Sequence, residues 1–416
     1  MLHVMHSTAT ETRSVYVHVP FCAHRCPYCN FTLIAGRPDL HEAYLDAIEL
    51  ELSTLPDVLE IDTLFFGGGT PTELNCQQLD RLFSIFQNKF QLLGDGEFSI
   101  EANPKDITSG LLEVIKRHGV NRVSLGAQSF DNHKLKVLGR DHQAIHIQQA
   151  MELLVPKVDS VSLDLIFGTH GESMETWNAD LNQAIDLKPQ HLSTYGLTYE
   201  KGTQYWKSLQ SGVLELTDEE VERNMYEHAI DHLAGVGFEH YEVSNFARPG
   251  FRCRHNQVYW TGKAFHAFGP GAARFVNGVR EVNHRSTTKY LNDVLAGKSA
   301  VGEREELSPI DRARERLVFG LRRLEGVCIE TLEEEVGFTL SEICGSEIDQ
   351  LESRGLVQNH AGPRKRPPAG GRGGPRGRVL GASWKLLGAL LALGGVLGPI
   401  LVDFLSFFVA FVTTPT

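Results

Sequence analysis

Cysteine is scarce in this sequence, seven among 416 residues, and its uneven spacing does not suit a disulfide framework. Positive charge is also in short supply. Forty Lys and Arg stand against 52 Asp and Glu, a net charge of −12, which argues against a nucleic-acid surface. The opening stretch, MLHVMHSTATETRSVYV, has no apolar run of signal-peptide length, so a reducing cytoplasm and free thiols are expected. The cysteine that is present gathers in PFCAHRCPYCNF, where Cys22, Cys26 and Cys29 are spaced C-x3-C-x2-C with no fourth cysteine nearby. Three thiolates this close suit a thiophilic metal, and such metals usually take four ligands. The motif therefore poses the question of what fills the fourth position.

Between residues 14 and 200, short β-rich runs alternate with stretches of helical periodicity. The runs are SVYVHVP, DTLFFGGG, EFSIEANP, RVSLGAQS, SVSLDLIFG and HLSTYGLTYE, and Gly119 stands where one intervening helix would stop. Repeated βα units predict a parallel sheet, open or closed into a barrel. All its strands point one way, so their ends share a rim. Those ends carry the cysteine loop, Gly67-Gly68-Gly69-Thr70, Glu101, Gln128, Asp164, and Tyr195 with Thr198. In βα barrels that rim is where sites are built. In the first strand, Val15, Val17 and Val19 should face outer helices while Tyr16 and His18 point inward.

Two readings answer the question of the fourth ligand. His24 can complete a Cys3His zinc site, although all four ligands would then crowd into one short stretch. Alternatively, the three thiolates hold three irons of a [4Fe-4S] cluster and leave one iron open to a chelating partner. The glycines of GGGTPT would let such a partner approach the backbone closely.

The cysteine motif after the first strand, with Tyr28 inside it and GGGTP after the second strand, resembles the radical S-adenosylmethionine (SAM) superfamily. The resemblance implies that SAM itself is the fourth ligand, chelating the open iron, and that reduction of the cluster can cleave it to methionine and a 5'-deoxyadenosyl radical. YVHVPFC, IEANP, SLGAQSF, LGRDH and DLIFG narrow the resemblance to the HemN/HemW group, the oxygen-independent coproporphyrinogen III oxidases and their heme-binding relatives. It covers about residues 14 to 360 and implies an α/β fold. That fold is a partial (β/α)6 TIM-like barrel with a small α+β, winged-helix-like C-terminal domain. It also implies SAM contacts at Tyr16, Tyr28, Gly68, Gly69, Thr70, Glu101, Gln128, Arg140 and Asp164. The chemistry suits the residues: a carboxylate at Glu101 for the methionine amino group, Arg140 for its carboxylate, Gln128 and Asp164 for ribose hydroxyls.

Within that group two functions are open, an oxidase acting on coproporphyrinogen III propionates and a carrier that binds heme and hands it to an acceptor protein. The oxidases carry a further cysteine two residues after the third, where this chain has Phe31, and a longer N-terminal segment. CRHNQVYW resembles the H-N-x-x-Y-W motif of the heme-binding branch, with His255 or Cys253 as an axial ligand and Tyr259 and Trp260 as flat apolar surface. A packed loop with internally hydrogen-bonded His255 is the competing structural reading. The carrier is the favoured expectation, with a heme acceptor and an electron donor as partners. Cys76, Cys328 and Cys344 read as small buried residues rather than ligands.

The expected organisation is a flexible N-terminus over 1–13, the barrel over 14–245 and a connecting, heme-binding region over 246–304. A HemN-like domain follows over 305–360, then a basic Gly/Pro/Arg linker over 361–378 and an apolar tail over 379–416. The small domain is rich in Glu, which repels DNA. In the tail, the uncharged run from Leu386 to Val402 is 17 residues long, near the length of a bilayer span. Membrane attachment is therefore one expectation for it, and an altered terminus that packs on the protein is the other.

Overall fold

A computed structural model of the chain describes residues 12–55, 58–345, 347–353, 357–362 and 377–382. Its centre is a nine-stranded sheet. Six parallel strands come from the predicted runs: β1 (Ser14–Val19), β2 (Leu59–Gly68), β3 (Phe90–Ala102), β4 (Arg122–Gln128), β5 (Ser160–Phe167) and β6 (His191–Gly196), neighbours in that order. The helices between them are α1 (His41–Leu52), α2 (Cys76–Gln87), α3 (Ser109–His118), α4 (Asn132–Val137), α5 (Ala144–Leu154) and α6 (Met174–Asp186). After β6 come α7 (Gln204–Gln210) and α8 (Glu219–Gly235). Then β7 (Glu239–Glu242) and β8 (Asn245–Ala247) extend one edge antiparallel, in the order β6-β8-β7.

The strands alternate with period two, and that alternation creates the site. Val15, Val17, Val19, Leu64, Phe66, Phe98, Ile100, Val123, Leu125, Val161, Leu163 and Leu165 face the helices and join one continuous buried core. Full burial of such a side chain contributes about 1.5–3 kcal/mol, so this outer face holds the sheet together. The opposite phase lines the lumen with buried polar groups: Thr63, Glu97, Ser99, Arg122, Ser124, Ser162, Asp164 and Ser193. The lumen is thus a polar cleft rather than an apolar core. Local signals agree: Gly119 ends α3 in the left-handed conformation (φ 75°), and Asn75 starts α2 with a capping box.

Two departures from the sequence expectations concern boundaries. The stretch 246–304 is not a separate connector. It gives α9 (Arg254–Trp260), which enters the lumen, and β9 (His266–Phe268), which pairs parallel with β1 on its other edge. It also gives β10 (Ala273–Val276), β11 (Val279–Asn283), α10 (Thr287–Leu295) and most of β12 (Val301–Glu306), the three strands forming a small antiparallel sheet. The buried Glu51 of α1 fastens this region by accepting from Gly269 N (3.0 Å), Asn283 Nδ2 (2.6 Å) and Tyr290 OH (2.6 Å).

The second departure is at the C-terminus. The small domain contains α11 (Pro309–Gly320), capped by Ser308, then β13 (Val327–Cys328), α12 (Ile329–Val336), α13 (Leu340–Cys344) and α14 (Glu347–Ser353). It closes with β14 (Val357–Gly362) and β15 (Gly377–Ala382), in the order β13-β15-β14. Residues 361–362 and 377–382, expected as linker and tail, are therefore strands of this domain, because antiparallel pairing satisfies their backbone groups. The rest of the basic stretch and the apolar run beyond residue 382 lie outside the described residues. Among the described residues, no helix is long and apolar enough to cross a membrane.

Candidate functional site

The cysteine loop leaves β1 and passes over the strand ends. Phe21–Cys22 pair with Ile34–Ala35, and Arg25 donates to the carbonyls of Cys29, Phe31 and Leu33, so the loop is closed on itself. His24 Nε2 donates to the Gly139 carbonyl (2.7 Å) and lies 3.8 Å from Cys26 Sγ. That use of Nε2 ties the cysteine loop to the loop bearing Arg140, which favours an anchoring role over zinc ligation. Among the described residues, no three His, Cys, Asp or Glu side chains form a ready metal cage.

The three thiols differ in environment. Burial pushes Cys22 up to about 12 and Cys29 up to about 11. Cys26 lies below its ordinary value: burial opposes ionisation there, but the His24 hydrogen bond and the Arg140 charge outweigh it. Arg140 is half-buried, with one terminal nitrogen 3.6 Å from Cys26 Sγ, the other donating to the Gly126 carbonyl (3.2 Å), and Nε without a partner among the described residues. An orphaned guanidinium nitrogen beside a thiolate suits an incoming carboxylate. Tyr28 is buried among Cys26, Cys29 and Arg140, within an apolar cluster that includes Leu138 and Tyr205 and is flanked by Phe31.

The glycine turn explains itself by proximity. A Cβ on Gly67 would lie 2.6 Å from Glu101 Oε2, one on Gly68 2.4 Å from the His18 ring, and one on Gly69 2.6 Å from the Phe21 carbonyl. Gly68 also has φ 112°, which side chains rarely tolerate. Its N–H donates to Glu101 Oε2 (2.9 Å), while Gly69 N and Thr70 N donate to the carbonyls of Val19 and Phe21. Thr70 Oγ1 stands 3.4 Å from Cys22 Sγ. Backbone, cluster loop and carboxylate thus pack this closely only because no side chain intervenes.

Asp164 is buried and Glu101 half-buried in the lumen. Burial raises Glu101 to about 8, with the nearby Asp164 charge adding to it, and burial also raises Asp164. Asp164 accepts from Ser124 Oγ (3.0 Å) and Ser162 Oγ (3.3 Å). Gln128 ends β4 at φ 64°, an unusual conformation for a non-glycine residue. The turn after it is locked by Asp180, which accepts from Ser129 Oγ (2.7 Å), Phe130 N (2.6 Å) and Lys134 Nζ (3.0 Å). Tyr16 OH donates to His18 Nδ1 (3.0 Å), whose Nε2 donates to the Thr32 carbonyl (2.6 Å). Burial lowers His18 to about 4, so it stays neutral in this relay.

The structure therefore gathers Cys22, Cys26, Cys29, Tyr28, Gly68, Gly69, Thr70, Glu101, Gln128, Arg140 and Asp164 at one end of the barrel. His255 and Cys253 lie one layer deeper in the lumen, packed with Tyr16 and Phe65. His255 is bonded through Nδ1 to Thr63 Oγ1 (2.8 Å) and through Nε2 to Tyr259 OH (2.8 Å), and its ring stacks on Phe65. Cys253, Tyr259 and Trp260 are buried too, Trp260 against Phe319 of the small domain. Of the two readings of CRHNQVYW, the structure shows the packed one, with both His255 nitrogens hydrogen-bonded inside the barrel. The helix plugs the lower barrel, because the Glu97 carboxylate accepts the N–H groups of Arg254 (2.7 Å) and His255 (3.0 Å). Burial then holds His255 near 3 and pushes the Cys253 thiol up to about 12. Cys76, expected to be buried, is exposed at the start of α2.

Sequence reasoning missed Arg122, Lys134, Glu172 and Asp180, and gave His18 an inward position without a partner. The inward phase of β1 already placed His18; the buried Lys134 carries no such signal.

A parallel barrel whose rim joins three loop cysteines, a glycine turn and lumen carboxylates defines a radical SAM protein. Residues 16–184 match the radical SAM superfamily and residues 307–368 the HemN C-terminal domain. The solved structure of coproporphyrinogen III oxidase (HemN) from Escherichia coli superposes with a TM-score of 0.77 over 91% of this chain and 88% of that one, at 22% identity, a likeness of fold. The heme chaperone HemW of Lactococcus lactis subsp. lactis is 34% identical over 84% of this chain and 92% of its own length. That of Bacillus subtilis is 33% identical over 83% and 93%. A mitochondrial radical S-adenosyl methionine domain-containing protein 1 from Danio rerio is 34% identical over 76% and 73%. The chain belongs to the HemW family, within the HemN/HemW group of the radical SAM superfamily. Membership carries SAM and a [4Fe-4S] cluster as cofactors.

Proposed function

We propose that this protein is a heme chaperone, binding heme on a radical-SAM scaffold and passing it to an acceptor protein. The observation that carries the reading is the 34% identity to a heme chaperone along 92% of that relative. Phe31 supports it, packing beside the cluster loop where the related oxidases place a further cysteine.

In this reading Cys22, Cys26 and Cys29 hold the cluster, and SAM completes it. Glu101 accepts from the methionine amino group and Arg140 pairs with its carboxylate through the Nε that no protein group engages. Gln128 and Asp164 take the ribose hydroxyls, and the Gly67–Gly69 turn lets the ligand meet backbone. Tyr16 is set by His18, and Tyr28 excludes water from the cysteine side. When bound and reduced, such a cluster supplies one-electron chemistry to SAM; the protein's share is to position, desolvate and charge-match. An electron donor is therefore a second partner. On this reading the protein works in the cytoplasm, and the apolar run beyond β15, residues 383–416, is proposed as a membrane attachment.

The test is transfer. Heme-loaded protein mixed with an apo-hemoprotein should lose its Soret band as the acceptor's appears, with coproporphyrinogen III left unchanged by the same preparation. Decarboxylation of coproporphyrinogen without heme transfer would replace the chaperone by the oxidase.

A further inference from the structure

The lower-barrel helix leaves no imidazole nitrogen open to an iron, so a heme needs another ligand. One histidine has the right presentation. His170 sits at the tip of the loop after β5, between Gly168 (φ 76°) and Gly171 (φ 75°), and is exposed. Its Nδ1 donates to the Glu215 carbonyl (3.1 Å), and Nε2 has no partner among the described residues. A ring whose one N–H is held by a backbone carbonyl, with the other lone pair turned out, is the arrangement that orients a metal-binding histidine.

The loop beneath it is built rigidly. Thr169 is buried, and its N–H and hydroxyl both donate to Glu172 Oε2 (3.0 and 2.9 Å). The Glu172 side chain is itself fully buried and paired with Lys134 Nζ (2.5 Å), which also binds Asp180. Thr217 Oγ1 donates to the Gly168 carbonyl (2.9 Å), tying the 211–217 segment to the same loop. The residues on either side of His170 are thus fixed inward while its ring is left outside.

Beside it, on the segment whose carbonyl orients the ring, Val213 and Leu216 are 75% and 61% exposed, unusual for aliphatic side chains. Lys207 on α7 and Lys201 in the turn before it are also exposed, whereas the start of α8 is acidic with Asp218, Glu219 and Glu220. An apolar macrocycle with two carboxylates fits this pattern, its face on Val213 and Leu216 and its propionates toward the lysines.

We infer that His170 is the axial ligand of the transported heme, bound through Nε2 on the outer rim of the barrel against Val213 and Leu216. The inference rests on the heme-chaperone reading and assigns its site.

The experiment is a hemin titration of anaerobically reconstituted full-length protein, wild type beside His170→Ala, His170→Gly and His255→Ala. The Soret position and the ferric spin state are read, and iron–sulfur absorbance confirms folding. His170→Ala should bind at least about tenfold more weakly and lose the histidine-ligated spectrum, and added imidazole should restore that spectrum to His170→Gly. His255→Ala should keep it. Unchanged affinity and spectrum in His170→Ala with saturable wild-type binding would overturn the site while sparing the chaperone reading. Absence of saturable binding to the wild type would overturn both.

Discussion

Glu101→Gln separates what the lumen carboxylate does for function from what it does to stability. In the folded protein burial holds the Glu101 carboxyl at about 8 against an ordinary 4.5. Because the folded value lies above the unfolded one, its favourable contribution is complete at acid pH and is lost as pH rises from about 4.5 through about 8. By that linkage, ionisation costs the ligand-free fold roughly 4 kcal/mol near pH 7.5 but only about 1 kcal/mol near pH 5.5. Glutamine keeps an oxygen for the Gly68 N–H and carries no charge. The variant without cofactors should therefore resist urea better than wild type at pH 7.5, with the advantage shrinking toward pH 5.5. Its SAM affinity should fall, since a neutral amide replaces a charge-assisted acceptor. Urea midpoints across that pH range, with equilibrium SAM binding alongside, check both halves. An advantage independent of pH, or SAM affinity equal to wild type, would refute the reasoning.

Three further outcomes are expected. Gly68→Ala would drive a methyl into the His18 ring at φ 112°, destabilising by about 2–4 kcal/mol and loosening SAM, read by thermal melts and SAM titration. Alanine at Cys22, Cys26 and Cys29 together should abolish iron binding; retained iron–sulfur absorbance would contradict the cluster assignment. Asp180→Ala strips one carboxylate from the buried Lys134 and three donors from one acceptor, costing about 3–5 kcal/mol, measurable by urea unfolding.

What could be read from sequence followed periodicity and local spacing. The strand runs, their shared rim and the inward phase of Tyr16 and His18 all rest on a repeat of two, which the peptide geometry enforces regardless of context. The glycine at 119 that ends a helix was equally local. The misreadings concern contacts distant in sequence. His255 and Tyr259 are four apart and so share a helix face, but nothing in CRHNQVYW says that the Glu97 carboxylate, 158 residues away, draws that helix into the barrel. Lys134 in KLKV resembles any surface lysine until Glu172 and Asp180 close around it. The pairing of residues 357–362 with 377–382 was hidden by the Gly/Pro/Arg stretch between them, which looks like a linker whether or not its ends are paired.

The central claim, a radical-SAM scaffold that carries heme, is tested most directly by the stoichiometry of heme binding. Anaerobically reconstituted protein with SAM present should take up heme saturably, near one per chain, while its iron–sulfur absorbance persists. Heme uptake that never saturates, or that proceeds only as the cluster is lost, would contradict the account.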